Sequence, residues 1–218
     1  MRTMFKAVIF DVDGVLTCID SIWRHIHEKL GVLDKARKNA EMYYSGKISY
    51  EEWAILDVML WKGTPYKLIE RIVTEVPLRK GAKETINELK KLGLTIAAIS
   101  AGLDVITKRI KEDLNIDYIF SNQLVIKNGI VTGDVIVRVE ARNKDKIMKN
   151  FCKKIGIKTK ECIVVGDSFV DVPMFKIAGF SIAFNPKDQK VMNNSDIIIL
   201  SHSLKPILPI IKDLLRKF

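Results

Sequence analysis

The sequence predicts an α/β fold: a mostly parallel sheet with helices on both faces, interrupted after its first strand by a helical insertion. Three observations lead there. Short apolar runs (residues 5–10, 94–100, 162–166, 180–184 and 196–200) alternate with segments of helical pattern. A stretch of about sixty residues after the first run holds helical patterns and no strand. A single alternating segment, 118–139, carries Asn128-Gly129, a strong hairpin signal.

Each element has a local reason. Residues 5–10 (FKAVIF) are an apolar run rich in β-branched and aromatic residues, broken only by Lys6, as expected of a strand buried on both faces. Residues 21–30 place Ile22, Ile26 and Leu30 on one helical side, and 34–45 form a second helix. Ser49 followed by Glu52 is a capping box opening a third helix. Thr64 then serves as N-cap and Pro65 as the first helical residue of a fourth. Beyond the insertion, 81–91 reads as a helix closed by Gly93, and 94–100 as a strand ending at Ser100. The segment 143–155 reads as a helix closed by Gly156.

Composition narrows the class. The 218 residues suffice for one large domain, or a core and a smaller one. With 48% hydrophobic and 28% charged residues the chain reads as soluble and globular. No apolar run approaches the ~20 residues of a membrane helix, and the start lacks a cleavable secretion signal, so a cytoplasmic location and no membrane partner are expected. Cys18, Cys152 and Cys162 show no CxxC spacing and read as reduced thiols, Cys18 as an inert packing thiol. His25 and His27 diverge on a helix and suggest no metal site. Much of the net charge of +10 lies in 138–160, with nine basic and two acidic residues. No nucleic-acid signature accompanies it, so it reads as a solvated helix face and nucleic acid is not an expected partner. A basic surface also attracts small phosphorylated molecules.

The chemistry lies at the C-terminal strand ends, where open α/β sheets bind ligands. The first strand ends in Asp11-Val12-Asp13-Gly14, the second in Ser100, the third in Gly166-Asp167-Ser168, with Asp171 a turn later. Asp11, Asp13 and Asp167 carry too much negative charge to stay unpaired, and hard oxygen ligands suit Mg²⁺. With a phosphate monoester as small-molecule substrate, every residue type has a task. Asp11 attacks phosphorus. Asp13 protonates the leaving alkoxide and then activates water. Ser100 hydrogen-bonds a phosphoryl oxygen, and Lys144 neutralises the transferring group.

In order, DVDGVLT, IAAIS, a lysine and VVGDSFVD resemble the four motifs of the haloacid dehalogenase superfamily, across nearly the whole chain. The resemblance implies a Rossmann-like three-layer core (1–17 and 79–218) with a β-hairpin, and a helical-bundle cap over 18–78. It implies Asp11 as nucleophile and Asp13 as acid/base. It also implies Mg²⁺ held by Asp11, the Asp13 carbonyl and Asp167, with Asp171 in support. Ser100, with Ala101 and Gly102 after it, and a lysine would hold the phosphate. The competing lysines are Lys144 and Lys146; counting back from KKIGI favours Lys144.

The cap, together with GKISYEEW, GAKETINELKKLG and VIKNGIVTGDV, is similar to the phosphoserine phosphatases. That resemblance implies an acidic cap residue at Asp20. It would also place the arginine that pairs with a substrate carboxylate at the position of Asp57. An acid there repels a carboxylate. The glycine pair after the serine appears as Ala101-Gly102, and Val170 replaces an expected asparagine. The expectation is a phosphatase of altered specificity, favouring a hydroxyl or amine over a carboxylate. A true phosphoserine phosphatase and a phosphomutase are the alternatives. Trp23, Trp53 and Trp61 are read as the cap's own core rather than as ligand contacts.

Overall fold

The computed structural model describes residues 5–140 and 142–217. One seven-stranded sheet runs in the order β4-β3-β2-β1-β5-β6-β7. Its strands are β1 (Ala7–Phe10), β2 (Thr95–Leu103), β3 (Tyr118–Lys127), β4 (Ile130–Ile136), β5 (Cys162–Gly166), β6 (Phe180–Phe184) and β7 (Ile197–Ile199). All neighbours are parallel except β3 and β4, the hairpin turned at Asn128-Gly129, both with positive φ. β1 lies at the centre, and its alternation explains its composition. Val8 and Phe10 join one apolar cluster, and Ala7 and Ile9 join the other.

The helices follow the same logic. α1 (Ile22–Lys29), α2 (Leu33–Tyr44), α3 (Tyr50–Met59) and α4 (Tyr66–Thr74) form the inserted cap. α5 (Ala82–Lys91), α6 (Asp104–Leu114) and α10 (Ile207–Arg216) bury Ile86, Ile106, Ile110 and Ile211 on one sheet face. α7 (Lys144–Ile155) and α8 (Val172–Phe175) bury Met148, Phe151, Met174 and Phe175 on the other, and α9 (Gln189–Met192) follows β6. No helix among the described residues is long and apolar enough to cross a membrane.

Two chain passes side by side connect cap and core. Thr17 bridges Leu78, the Cys18 amide donates to Pro77, and the Arg79 amide donates to Leu16. The Arg79 guanidinium adds bonds to the Gly14, Val15 and Thr17 carbonyls, fastening this junction to the turn after β1.

Three local expectations differ from the structure, and one contact between free thiols was not expected. β2 continues to Leu103 instead of ending at Ser100. Between Ile99 and Leu103 it advances four residues while β3 advances two, so 100–102 bulge out of register. Pro65 is the N-cap of α4, not its first residue, because 63–65 pair with the hairpin through Gly63 N to Val131 O and Val131 N to Thr64 O. Cys18 is exposed rather than packed. Cys152 and Cys162, ten positions apart, meet with sulfurs at 3.5 Å because the end of α7 returns to the start of β5.

The turn after β1 depends on glycine. Gly14 has φ +83°, and a Cβ there would collide with the Asp167 carboxylate. Gly31, at φ +70°, has nothing near its missing Cβ. Gly31→Ala should therefore cost only the left-handed strain, about 1–2 kcal/mol. Gly14→Ala should cost clearly more in denaturant unfolding; equal losses would contradict the close approach of Asp167.

Candidate active site

Three strand ends and one helix start converge beyond the sheet. β1 delivers Asp11 and, through the turn at Gly14, Asp13. The β2 bulge delivers Ser100, β5 delivers Asp167, and α7 opens with Lys144. All line one cavity of about 910 Å³ that extends into the cap.

Lys144 is 1% exposed, and its Nζ donates at 2.8 Å to both Asp11 Oδ1 and Asp171 Oδ1. Burial pulls its pKa down, but Asp11 and Asp171 outweigh this and hold it above the ordinary lysine range. Lys146 is exposed on the same helix. Asp171 Oδ2 accepts the Asp167 and Ser168 amides, so both of its oxygens are engaged. Carboxylate oxygens of Asp11, Asp167 and Asp171 lie within 4.8 Å of one another, an arrangement that could hold a metal ion.

Asp13 is held from the cap. Its Oδ2 accepts the Ile22 amide at 2.8 Å, at the start of α1, while Oδ1 is buried without a partner. Burial raises its pKa to about 7, the Ile22 bond opposing and Asp11 adding. Burial also raises Asp167 to about 7 and Asp171 to about 6, with the Asp11 charge next in each case.

Ser100 Oγ accepts the Gly102 amide at 2.9 Å. The neighbouring Ala101 carbonyl accepts from Trp23 Nε1, Tyr50 Oη and Asn122 Nδ2 at 3.0, 3.1 and 2.9 Å. Ala101 and Gly102 line the cavity, and the Ala101 carbonyl bonds cap and core together. Asp20 is exposed at the cap edge, and Asp57 is buried deep in the cap. The tryptophans divide. Trp61 is fully buried, as expected of a cap core, whereas Trp23 and Trp53 are partly exposed and line the cavity.

Sequence reasoning missed Lys187. It follows β6, with Nζ 2.7 Å from Asp167 Oδ2 and 3.2 Å from Asp20 Oδ1. It stands just beyond a strand end, the signal used for the other three strands. Asn122 was missed too. A fully buried asparagine in an alternating strand, it also accepts the Arg138 and Val139 amides.

The haloacid dehalogenase-like hydrolase family model matches residues 5–179. The chain belongs to this family. The phosphoserine phosphatase of Methanocaldococcus jannaschii is 36% identical over 97% of this chain and 100% of its own length. That of Archaeoglobus fulgidus is 36% identical over 84% of this chain, which spans 53% of it. A solved phospho-aspartyl intermediate analogue of phosphoserine phosphatase superposes with TM-score 0.82 at 33% identity, covering 94% of this chain and 98% of its own. A substrate-bound phosphoserine phosphatase complex superposes equally well. The chain is a phosphatase, similar to the phosphoserine phosphatases.

The raised carboxyls set a sign for stability against pH. From the ordinary aspartate value of 3.8 up to about 7, the folded protein binds more protons than the unfolded chain, so stability falls as pH rises. With divalent ions chelated, the thermal midpoint should fall from pH 5 to pH 8. A divalent cation should raise it most at pH 8, where the carboxyls are ionised. A flat or rising midpoint in the chelated protein would contradict the burial of these groups.

Proposed function

We propose that the chain is a Mg²⁺-dependent phosphomonoester hydrolase acting through an aspartyl-phosphate on a small metabolite other than phosphoserine. The supporting observation is the meeting, on one cavity, of Asp11, a carboxyl with pKa near 7 at Asp13, and the buried Lys144 ammonium.

In this reading Asp11 attacks phosphorus and the bond to the leaving oxygen breaks. Asp13, protonated for a substantial fraction of the time near neutrality, gives that oxygen its proton. Water then attacks the phosphorus of the aspartyl-phosphate, Asp13 takes its proton, and phosphate leaves with Asp11 restored. Lys144 balances charge on the transferring group, and Ser100 hydrogen-bonds one of its oxygens.

The donor set fits a hard cation. It comprises buried carboxylate oxygens of Asp11 and Asp167 within 4.8 Å of one another, beside Asp171, which has both oxygens already committed. Asp11, Asp167 and the Asp13 carbonyl would hold Mg²⁺, with Asp171 in support. When bound, Mg²⁺ supplies Lewis-acid polarisation of a phosphoryl oxygen and screens the carboxylates. The proposal includes domain boundaries at 18–78 for the cap, with 1–17 and 79–218 as core, and a cytoplasmic location.

The altered specificity rests on Asp57. It is 4% exposed and lines the cavity; among the described residues no lysine or arginine pairs with it, and its neighbour at 3.2 Å is the His27 ring. Its charge disfavours a substrate carboxylate.

Phosphate release from phosphoserine and from sugar, polyol and nucleoside monophosphates tests the reading. Asp11→Asn should lose at least ~10³-fold. Lys144→Ala should lose ~10²-fold or more, while Lys146→Ala stays near wild type. Dominant turnover of phosphoserine would establish a true phosphoserine phosphatase instead. Isomerised product without free phosphate would establish a phosphomutase.

A further inference from the structure

The far wall of the cavity holds polar groups that the phosphoryl chemistry does not use. His27 on α1 and Asp57 on α3 are 2% and 4% exposed, and both line the cavity. Trp61 Nε1 donates to His27 Nδ1 at 3.0 Å. That bond needs a lone pair on Nδ1, so the ring hydrogen sits on Nε2. His27 Nε2 is buried and has no hydrogen-bond partner. It lies 3.2 Å from Asp57 Oδ2, but its hydrogen is not aimed at that oxygen. Asn39 Nδ2 occupies Asp57 Oδ1 at 2.9 Å, leaving Oδ2 as the open acceptor.

We propose that His27 and Asp57 form a hydroxyl-selecting subsite for the leaving group, on the reading of the chain as a phosphatase given above. A hydroxyl is both donor and acceptor. It accepts from His27 Nε2–H and donates to Asp57 Oδ2, completing both groups. An ammonium satisfies Oδ2 but sets its own hydrogens against Nε2–H. A carboxylate meets the charge of Asp57, and a methyl group leaves both polar groups unpaired.

Two observations separate this from a purely structural role. The helices are already joined by Trp61 to His27 and by Asn39 to Asp57, so the Nε2 hydrogen is not needed for cap cohesion. Trp53, one turn before Asp57 on α3, also lines the cavity with its buried Nε1 unpartnered. It gives a second donor for an adjacent hydroxyl, its ring fixed by stacking on Tyr43 at 4.6 Å. The cavity's Arg24 and Arg37 are exposed and paired with Glu28 and Asp34, so they do not neutralise Asp57.

The test uses short-chain alkyl monophosphates of graded length, each ending in hydroxyl, methyl, ammonium or carboxylate, with p-nitrophenyl phosphate as reference. The readout is the ratio of kcat/KM values within each protein. Wild type should favour the hydroxyl member over the methyl member by at least ~100-fold at its best length. His27→Phe and Asp57→Ala should each reduce that ratio below ~10-fold, and His27→Gln, which keeps an N–H donor, should restore part of it. Thermal midpoints identify any variant that fails to fold, and the wild-type ratios decide the matter without it. Equal turnover of all four termini, a preference for ammonium or carboxylate, or a hydroxyl preference intact in folded His27→Phe would overturn the subsite while leaving the phosphatase reading in place. No turnover of p-nitrophenyl phosphate or of any alkyl monophosphate by wild type would overturn the hydrolase reading of the proposed function and the subsite with it.

Discussion

The ammonium of Lys144, donating to Asp11 and Asp171 at 2.8 Å, is the contact on which the site depends. The topology forces four carboxyl groups towards the same end of the sheet, and burial there makes their charges costly. Lys144 reaches them from α7 and fixes two at once. With Oδ1 held by the lysine, Asp171 offers Oδ2 to the Asp167 and Ser168 amides, which sets the turn presenting Asp167. A buried ion pair of this kind adds little net stability, because desolvation offsets attraction. Its contribution is positional: one side chain orients Asp11 and, through Asp171, the loop after β5.

Besides the Asp20–Lys187 pair, the cap reaches this arrangement through contacts of two different characters. The Ile22 amide, at the positive end of α1, holds the Asp13 carboxyl and lowers its pKa against the larger effect of burial. The balance leaves that group near 7, the range that the acid and base roles proposed for it would use. Trp23 and Tyr50 meanwhile share the Ala101 carbonyl with Asn122 of the core. Moving the cap away would break both cap bonds to Ala101 and release Asp13 from Ile22. Cap position and the Asp13 carboxyl are therefore linked by hydrogen bonds one residue apart in α1, at Ile22 and Trp23.

How legible these features are in the sequence depends on whether local pattern or tertiary pairing decides them. β1, the Ser49–Glu52 capping box and the hairpin at Asn128-Gly129 follow from neighbours in sequence, and the structure has them as read. The start of α4 does not. Thr64 and Pro65 carry a good helix-start signal, but the hairpin claims Gly63 and Thr64 for extended pairing. The β2 bulge is equally hidden, since it arises from unequal advance along β3. Among site residues, Asp11, Asp13, Lys144 and Asp167 were readable because each follows a strand or opens a helix, and Ser100 was read as a strand end although β2 runs on to Leu103. Lys187 obeyed the same rule but stood in an unremarkable Asn-Pro-Lys turn. Asn122 was visible only as a polar break in an alternating strand.

Specificity resists sequence reading for a further reason. An acid at Asp57 reads as a repulsive substitution when taken alone. Its consequence depends on partners from two other helices, Asn39 on α2 and His27 on α1, and on Trp61, which sets the His27 tautomer. No spacing rule predicts that foursome, because loop geometry brings the helices together. In the proposed reading the core residues act on phosphorus, whose geometry changes little between substrates, and their task is the same whatever the leaving group. Cap residues face whatever the phosphate is attached to. There, exchanging one charge also redirects the hydrogen bonds of its neighbours, and the chemistry presented to the leaving group belongs to the network rather than to any one residue.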